Sequence, residues 1–156
     1  MRKLVCLGIA LIMMLGAALA DQAVALPGER YSLTVPDEME YSPKNTHDSA
    51  QSPYFQYAYY SSKLELEMDV FVYPNGGITL QRLAEEMAAK GQTVEIRRIS
   101  GQELLCYMGQ DSPDTSDGAP YIGYVLMDGD QAIEITFWYA TQKGMDKTAE
   151  IMNTLR

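Results

Sequence analysis

Apolar and polar residues alternate along most of this chain, and the places where the period changes mark its elements. Tyr31, Leu33 and Val35 occupy every second position before Pro36, which predicts a first strand over residues 29–35 ended by a residue that cannot donate to a ladder. Residues 37–51 then turn polar, with Pro43, Asn45 and Ser49, and read as a long loop. Residues 53–61 are the most aromatic stretch. Phe55, Tyr57 and Tyr59 fall on one side of a two-residue period and Tyr54 and Tyr60 on the other, a strand pattern. After a turn at 61–63, Leu64, Leu66, Met68, Val70 and Val72 face one way while Glu65, Glu67, Asp69, Phe71 and Tyr73 face the other.

Residues 74–77 break that strand, and the apolar period lengthens to Leu80, Leu83, Ala84, Met87 and Ala88, one stripe of a helix. Thr79 fits the N-cap, Ile78 and Leu83 stand at the two positions of a hydrophobic staple, and Gly91 suits the left-handed residue past the end. Strand patterns return over 93–99 and 102–109 across Ser100-Gly101, and again over 121–127 and 132–139 across Asp128-Gly129-Asp130, predicting two hairpins. A closing helix is expected over about 145–155, with Met145, Ala149, Met152 and Leu155 on one face.

Three strands, a helix, four strands and a helix with short connections define an α+β chain: a mainly antiparallel sheet of about six or seven strands flanked by two helices, a sandwich of the α/β/α type. Tyr31-Ser32-Leu33-Thr34-Val35-Pro36, the acidic strand ending Val72-Tyr73-Pro74, the helix from Leu80, the hairpin entered through Ile99-Ser100-Gly101 and the final helix together resemble the Mog1/PsbP-like fold family. That resemblance spans about residues 29–155. It implies an antiparallel sheet flanked by helices, serving binding or accessory roles in exported domains, and it carries no active-site residue onto this chain.

The first twenty residues change the picture in another way. Arg2 and Lys3 precede a small, apolar run from residue 4 to residue 20 that ends Ala18-Leu19-Ala20, the three-part order of a secretory signal peptide. The run is short for a membrane span and diluted by Gly8 and Gly16, and Cys6 lies at the wrong end of it to receive a lipid. The expected product begins near Asp21, with a flexible lead-in over 21–28 and a single domain over 29–156. It would be secreted or extracytoplasmic and soluble, with no membrane span after cleavage. Cys106 is the cysteine that remains, so no intramolecular disulfide can form, and its alternation with Leu104 and Met108 points to a buried strand face.

The 156 residues carry 12 Lys and Arg against 21 Asp and Glu, a net charge of −9; without Arg2 and Lys3 the basic count falls to 10 and the net charge to −11. Such a charge repels nucleic acid and anionic lipid. It fits equally a cationic partner, bound metal ions or solubility outside the cell, and charge alone chooses none of these; a protein or cell-envelope component is the partner class expected from the tyrosine-rich segment.

Four groups of residues could carry chemistry. Glu65, Glu67 and Asp69 share one strand face and could act as acid and base of an extracytoplasmic hydrolase, given a concave pocket around them. The simpler expectation is a solvated acidic surface, with Arg97 and Arg98 of a later strand offsetting the repulsion. Asp111, Asp114 and Asp117 lie in a polar loop and offer a Ca2+ site in a calcium-stabilised domain, although spacing by three departs from the alternate-position pattern of the EF-hand. His47, the one histidine, lacks the companions of a zinc site or a catalytic triad and reads as a loop residue. The tyrosine-rich strands are the more suggestive group, because tyrosine combines a flat apolar face with a polar tip. The leading reading is accordingly a non-catalytic exported binding domain that uses an exposed sheet face with Tyr54, Tyr60, Phe71 and Tyr73 as contacts.

Overall fold

The computed structural model describes residues 21–44, 52–110 and 118–156. The leader, His47 and the acidic trio Asp111, Asp114 and Asp117 lie outside the described residues. In chain order the elements are β1 (Gln22–Ala25), β2 (Ser32–Val35), β3 (Glu40–Ser42), β4 (Phe55–Ser61), β5 (Leu66–Pro74), α1 (Leu80–Ala89), β6 (Thr93–Ile99), β7 (Gln102–Gln110), β8 (Pro120–Asp128), β9 (Gln131–Tyr139) and α2 (Gln142–Met152).

Seven strands form one antiparallel sheet in the order β3-β4-β5-β9-β8-β7-β6, while β1 and β2 form a separate hairpin. The two predicted hairpins are present: Ile99 pairs with Gln102 across Ser100-Gly101, and Asp128 pairs with Gln131 across Gly129-Asp130. The pairing of β5 with β9 along nine residues, from Leu66↔Tyr139 to Pro74↔Gln131, joins the two halves of the chain at the sheet centre. Cross-strand neighbours share a face, so these registers sort every side chain.

One face is the main core. Met68, Val70, Leu104, Ile133, Ile135 and Phe137 are fully buried there beneath the β1–β2 hairpin and α2, which contributes Ile151 and Met152. The hairpin is tied to the chain end by backbone bonds between Ser32 and Arg156 in both directions, at 2.9 and 3.2 Å. Residues 21–28 are thus not the flexible lead-in expected. Val24 and Leu26 are too few to announce a strand alone, yet the ladder to β2 and burial in the core order them.

Other expectations also change. The segment 37–51 contains β3, whose Tyr41 pairs with Tyr59. In β4 a register shift between Phe55 and Tyr57 places Phe55 opposite Phe71 on one face and Tyr57 opposite Val70 on the other, because a bulge inserts one unpaired residue. The final helix starts earlier than expected, where Thr141 accepts a hydrogen bond from the Gly144 amide at 3.2 Å. Its inward face is Gly144, Thr148, Ile151 and Met152, with Met145 half-buried and Ala149 outward.

The second face is covered only at one end. Helix α1 begins as its sequence predicts, with Thr79 Oγ1 accepting from the Arg82 amide at 3.2 Å, and Gly91 takes φ +84° beyond its end. Ten residues make it about 15 Å long. It packs Ala84, Leu83 and Met87 against Leu105, Tyr107, Val125 and Ala132 of β7, β8 and β9, and leaves the β4–β5 half of this face without a helix.

Candidate functional site

The registers lay side chains across the second face in rows. One row runs Phe55, Phe71, Glu134, Val125, Leu105; the next runs Ala58, Asp69, Thr136, Gly123, Tyr107; a third runs Tyr60, Glu67, Trp138, Tyr121, Gly109. Two of these positions are glycines inside strands. A Cβ at Gly123 would lie only 2.1 Å from the Tyr107 ring, and one at Gly109 only 2.4 Å from the Tyr121 ring, so each tyrosine lies across the strand beside it. Laid flat in this way, Tyr107 reaches β9, where its hydroxyl donates to Glu134 Oε1, and Thr136 Oγ1 donates to the same oxygen at 3.1 Å.

Glu134 therefore collects hydroxyl donors. Burial, followed by the charge of Glu134 and a hydrogen bond to it, raises the pKa of both Tyr107 and Tyr73. Both phenols thus stay protonated and able to donate. Beside them a cavity of about 240 Å³ opens between α1 and the sheet, lined by Tyr73, Ile78, Leu83, Met87, Tyr107, Val125, Met127 and Ala132, with Glu134 as the carboxylate in its lining. Ile78 and Leu83, which stand at the two staple positions of α1, both belong to that wall.

The residues singled out from the sequence are distributed as follows. Tyr54, Phe71 and Tyr73 come together: Tyr54 and Tyr73 have ring centroids 4.8 Å apart, Phe71 stacks on Tyr73 at 6.2 Å, and Phe55 meets Phe71 edge-on at 5.6 Å. Tyr60 lies at the other end of β4, opposite Glu67. Tyr54 and Tyr60 are exposed and Phe71 and Tyr73 half-buried.

The acidic strand does not form the solvated face expected of it. Glu67 and Asp69 are buried at 1% and 0% exposure, and Trp138 Nε1 donates to Asp69 Oδ2 at 3.2 Å. Glu65 is not in the strand at all; it occupies the preceding turn with φ +50°, exposed. Arg97 and Arg98 cannot offset these charges, because β6 is the far edge of the sheet with three strands between it and β5. They pair instead with Glu95 and Glu103. None of Glu65, Glu67 and Asp69 lines the cavity beside α1. Among the described residues no three His, Cys, Asp or Glu side chains converge as metal ligands.

Sequence reasoning missed Glu134, Tyr107, Thr136 and the two strand glycines. The signal was present in β9, where Ile133, Ile135 and Phe137 make one apolar face and Ala132, Glu134, Thr136 and Trp138 the other. A carboxylate in a strand flanked on both sides, together with glycines inside neighbouring strands, marks a polar centre with close ring packing. Cys106 is buried on the opposite face, and burial raises its thiol pKa, as befits a core residue.

An antiparallel sheet with a helix and hairpin on one face and a shorter helix on part of the other defines an α+β sandwich. No family model and no curated protein matches the chain. Its structure is similar to that of cyanobacterial PsbP (CyanoP) from Synechocystis sp. PCC 6803, with a TM-score of 0.62 at 13% identity over 90% of this chain and 95% of that one. It is also similar to a protein of Bacteroides thetaiotaomicron, with a TM-score of 0.58 at 12% identity over 88% of this chain. This chain spans about half of that protein, 48% of its length. The fold is thus the PsbP-like one to which the sequence pattern pointed. Among the described residues no helix is long and apolar enough to cross a membrane.

Proposed function

We propose that this chain is an exported, non-catalytic accessory domain that binds a protein partner through the half of the sheet left without a helix. The observation that carries this reading is the continuous ring contact of Tyr54, Tyr73, Phe71 and Phe55 on that half, with Tyr54 exposed at 41%. Aromatic rings that are partly desolvated and held by neighbours offer contact area at small entropic cost, the character of interface anchors. The net charge of −11 that remains without Arg2 and Lys3 (10 basic against 21 acidic residues) adds attraction for a basic partner surface.

Capture from the envelope fraction with the wild-type protein and with Tyr54→Ala/Phe71→Ala tests it. A partner held by the wild type and weakened about tenfold or more in the double variant is the expected outcome. Equal retention of the same partners by both proteins would remove the aromatic surface from the account.

A further inference from the structure

We propose that the cavity beside Glu134 receives the aliphatic stem and ammonium group of a lysine side chain presented by the protein partner, an inference that rests on the binding surface proposed above. The cavity measures about 240 Å³. That is below the range of about 300–1,000 Å³ typical of drug-sized ligands, so it holds one side chain rather than a large cofactor. Leu83, Met87, Val125, Met127 and Ala132 make its walls hydrocarbon, which suits a methylene stem.

Glu134 decides what stands at the end of that stem. A carboxylate offers about four acceptor positions, and the hydroxyls of Tyr107 and Thr136 both donate to Oε1, which leaves Oε2 to be matched. Both donors are neutral, and among the described residues no Lys or Arg pairs with Glu134. A purely apolar occupant would strip water from this carboxylate without replacing it, and an anionic one would be repelled. An ammonium supplies the missing positive charge and a donor for Oε2, and it can donate further to the phenol oxygens of Tyr73 and Tyr107. The rigid guanidinium fork is matched by two free carboxylate oxygens, whereas Oε1 here already holds two donors. The cavity also adjoins the aromatic row through Tyr73, which contacts Tyr54 and Phe71.

Titration of isotope-labelled protein, followed by NMR, tests the assignment with three probes: n-butylammonium chloride, a capped pentapeptide with a central lysine, and the same peptide acetylated on that lysine. Saturable shifts at the Met87 and Met127 methyls and the Ala132 and Glu134 amides are expected with the first two probes only. Glu134→Gln should weaken them about tenfold or more, the loss of one charge-assisted contact. Met87→Trp, which fills the cavity from the half-exposed helix side and leaves Glu134 intact, should abolish them and covers the case in which Glu134→Gln misfolds. Absent shifts, equal binding of the acetylated peptide, or unchanged affinity in either folded variant would overturn the proposal. A peptide no tighter than butylammonium would assign the cavity to free amines and overturn the docking of a protein lysine. A captured partner lost with Tyr54→Ala/Phe71→Ala but kept with Glu134→Gln would remove the lysine pocket and leave the aromatic surface standing. Lysine binding at the cavity with no dependence of partner capture on those rings would do the reverse.

Discussion

Gly123 governs the chemistry of the second face although it has no side chain. Its missing Cβ lets the Tyr107 ring lie flat across β8, and that placement brings the phenol to Glu134 on β9. Neither residue would be adjacent to the other by spacing in the chain. Gly123→Ala drives a methyl into the ring, and because Tyr107 is packed against α1 and held by Glu134, the ring has little room to yield. We expect a loss of about 1–3 kcal/mol in unfolding free energy, measured by urea denaturation. Combining it with Tyr107→Ala, which removes the ring, should recover much of the loss due to the clash relative to Tyr107→Ala alone, so the two effects will not add.

Elements were legible where their own residues carry both the pattern and the punctuation. Helix α1 has its stripe, its Thr79 cap and its Ile78–Leu83 staple within thirteen residues, and it forms where they predict. The β1–β2 hairpin is the opposite case. Residues 21–28 hold only Val24 and Leu26 as large apolar side chains, and both acquire a partner only when the hairpin closes over the sheet and meets the chain end. If the segment is an element of the core, Leu26→Ala should cost about 2–5 kcal/mol in urea unfolding, whereas a flexible lead-in would tolerate it with almost no change. The bulge in β4 belongs to the same class: one unpaired residue re-sorts Phe55 from the Tyr57 face to the Phe71 face, and no period count within 53–61 contains that information.

At the scale of the whole molecule the sheet separates two environments. Its core face is mainly apolar, with phenols, Cys106 and Ser61 buried in it, and its other face is a polar, aromatic layer that α1 covers only in part. The phenols make the stability sensitive to alkali. Burial, with smaller contributions from Tyr59 and Tyr41, pushes the Tyr57 pKa up to about 12, and burial pushes that of Tyr124 up to about 12 as well. A phenol whose folded pKa lies above its unfolded value near 10 favours folding fully below that value and loses the contribution as pH rises through the folded pKa. The urea midpoint should therefore stop depending on these groups below about pH 10 and fall steadily between about pH 10 and 12. Tyr57→Phe should reduce the slope in that window. An unchanged slope would place the alkaline transition on other tyrosines.

The chain by itself determined the class of fold, because strand alternation, helical stripe and turn residues are local properties repeated in consistent order. It also determined that Tyr54, Phe71 and Tyr73 are candidates for contact, since aromatic residues on a two-residue period must be shared between the two faces of a sheet. Alternation alone puts Phe71 beside Tyr73, but tertiary structure decided that Tyr54 meets Tyr73 and Phe55 meets Phe71, because those contacts depend on how the chain around Phe55 pairs with β5. It alone buried Glu67 and Asp69, moved Glu65 out of their row and set β6 with Arg97 and Arg98 at the far edge. It also decided that the site is built around Glu134, because the burial and hydrogen bonding of a carboxylate depend on the neighbours that the strand order β5-β9-β8-β7 brings to it.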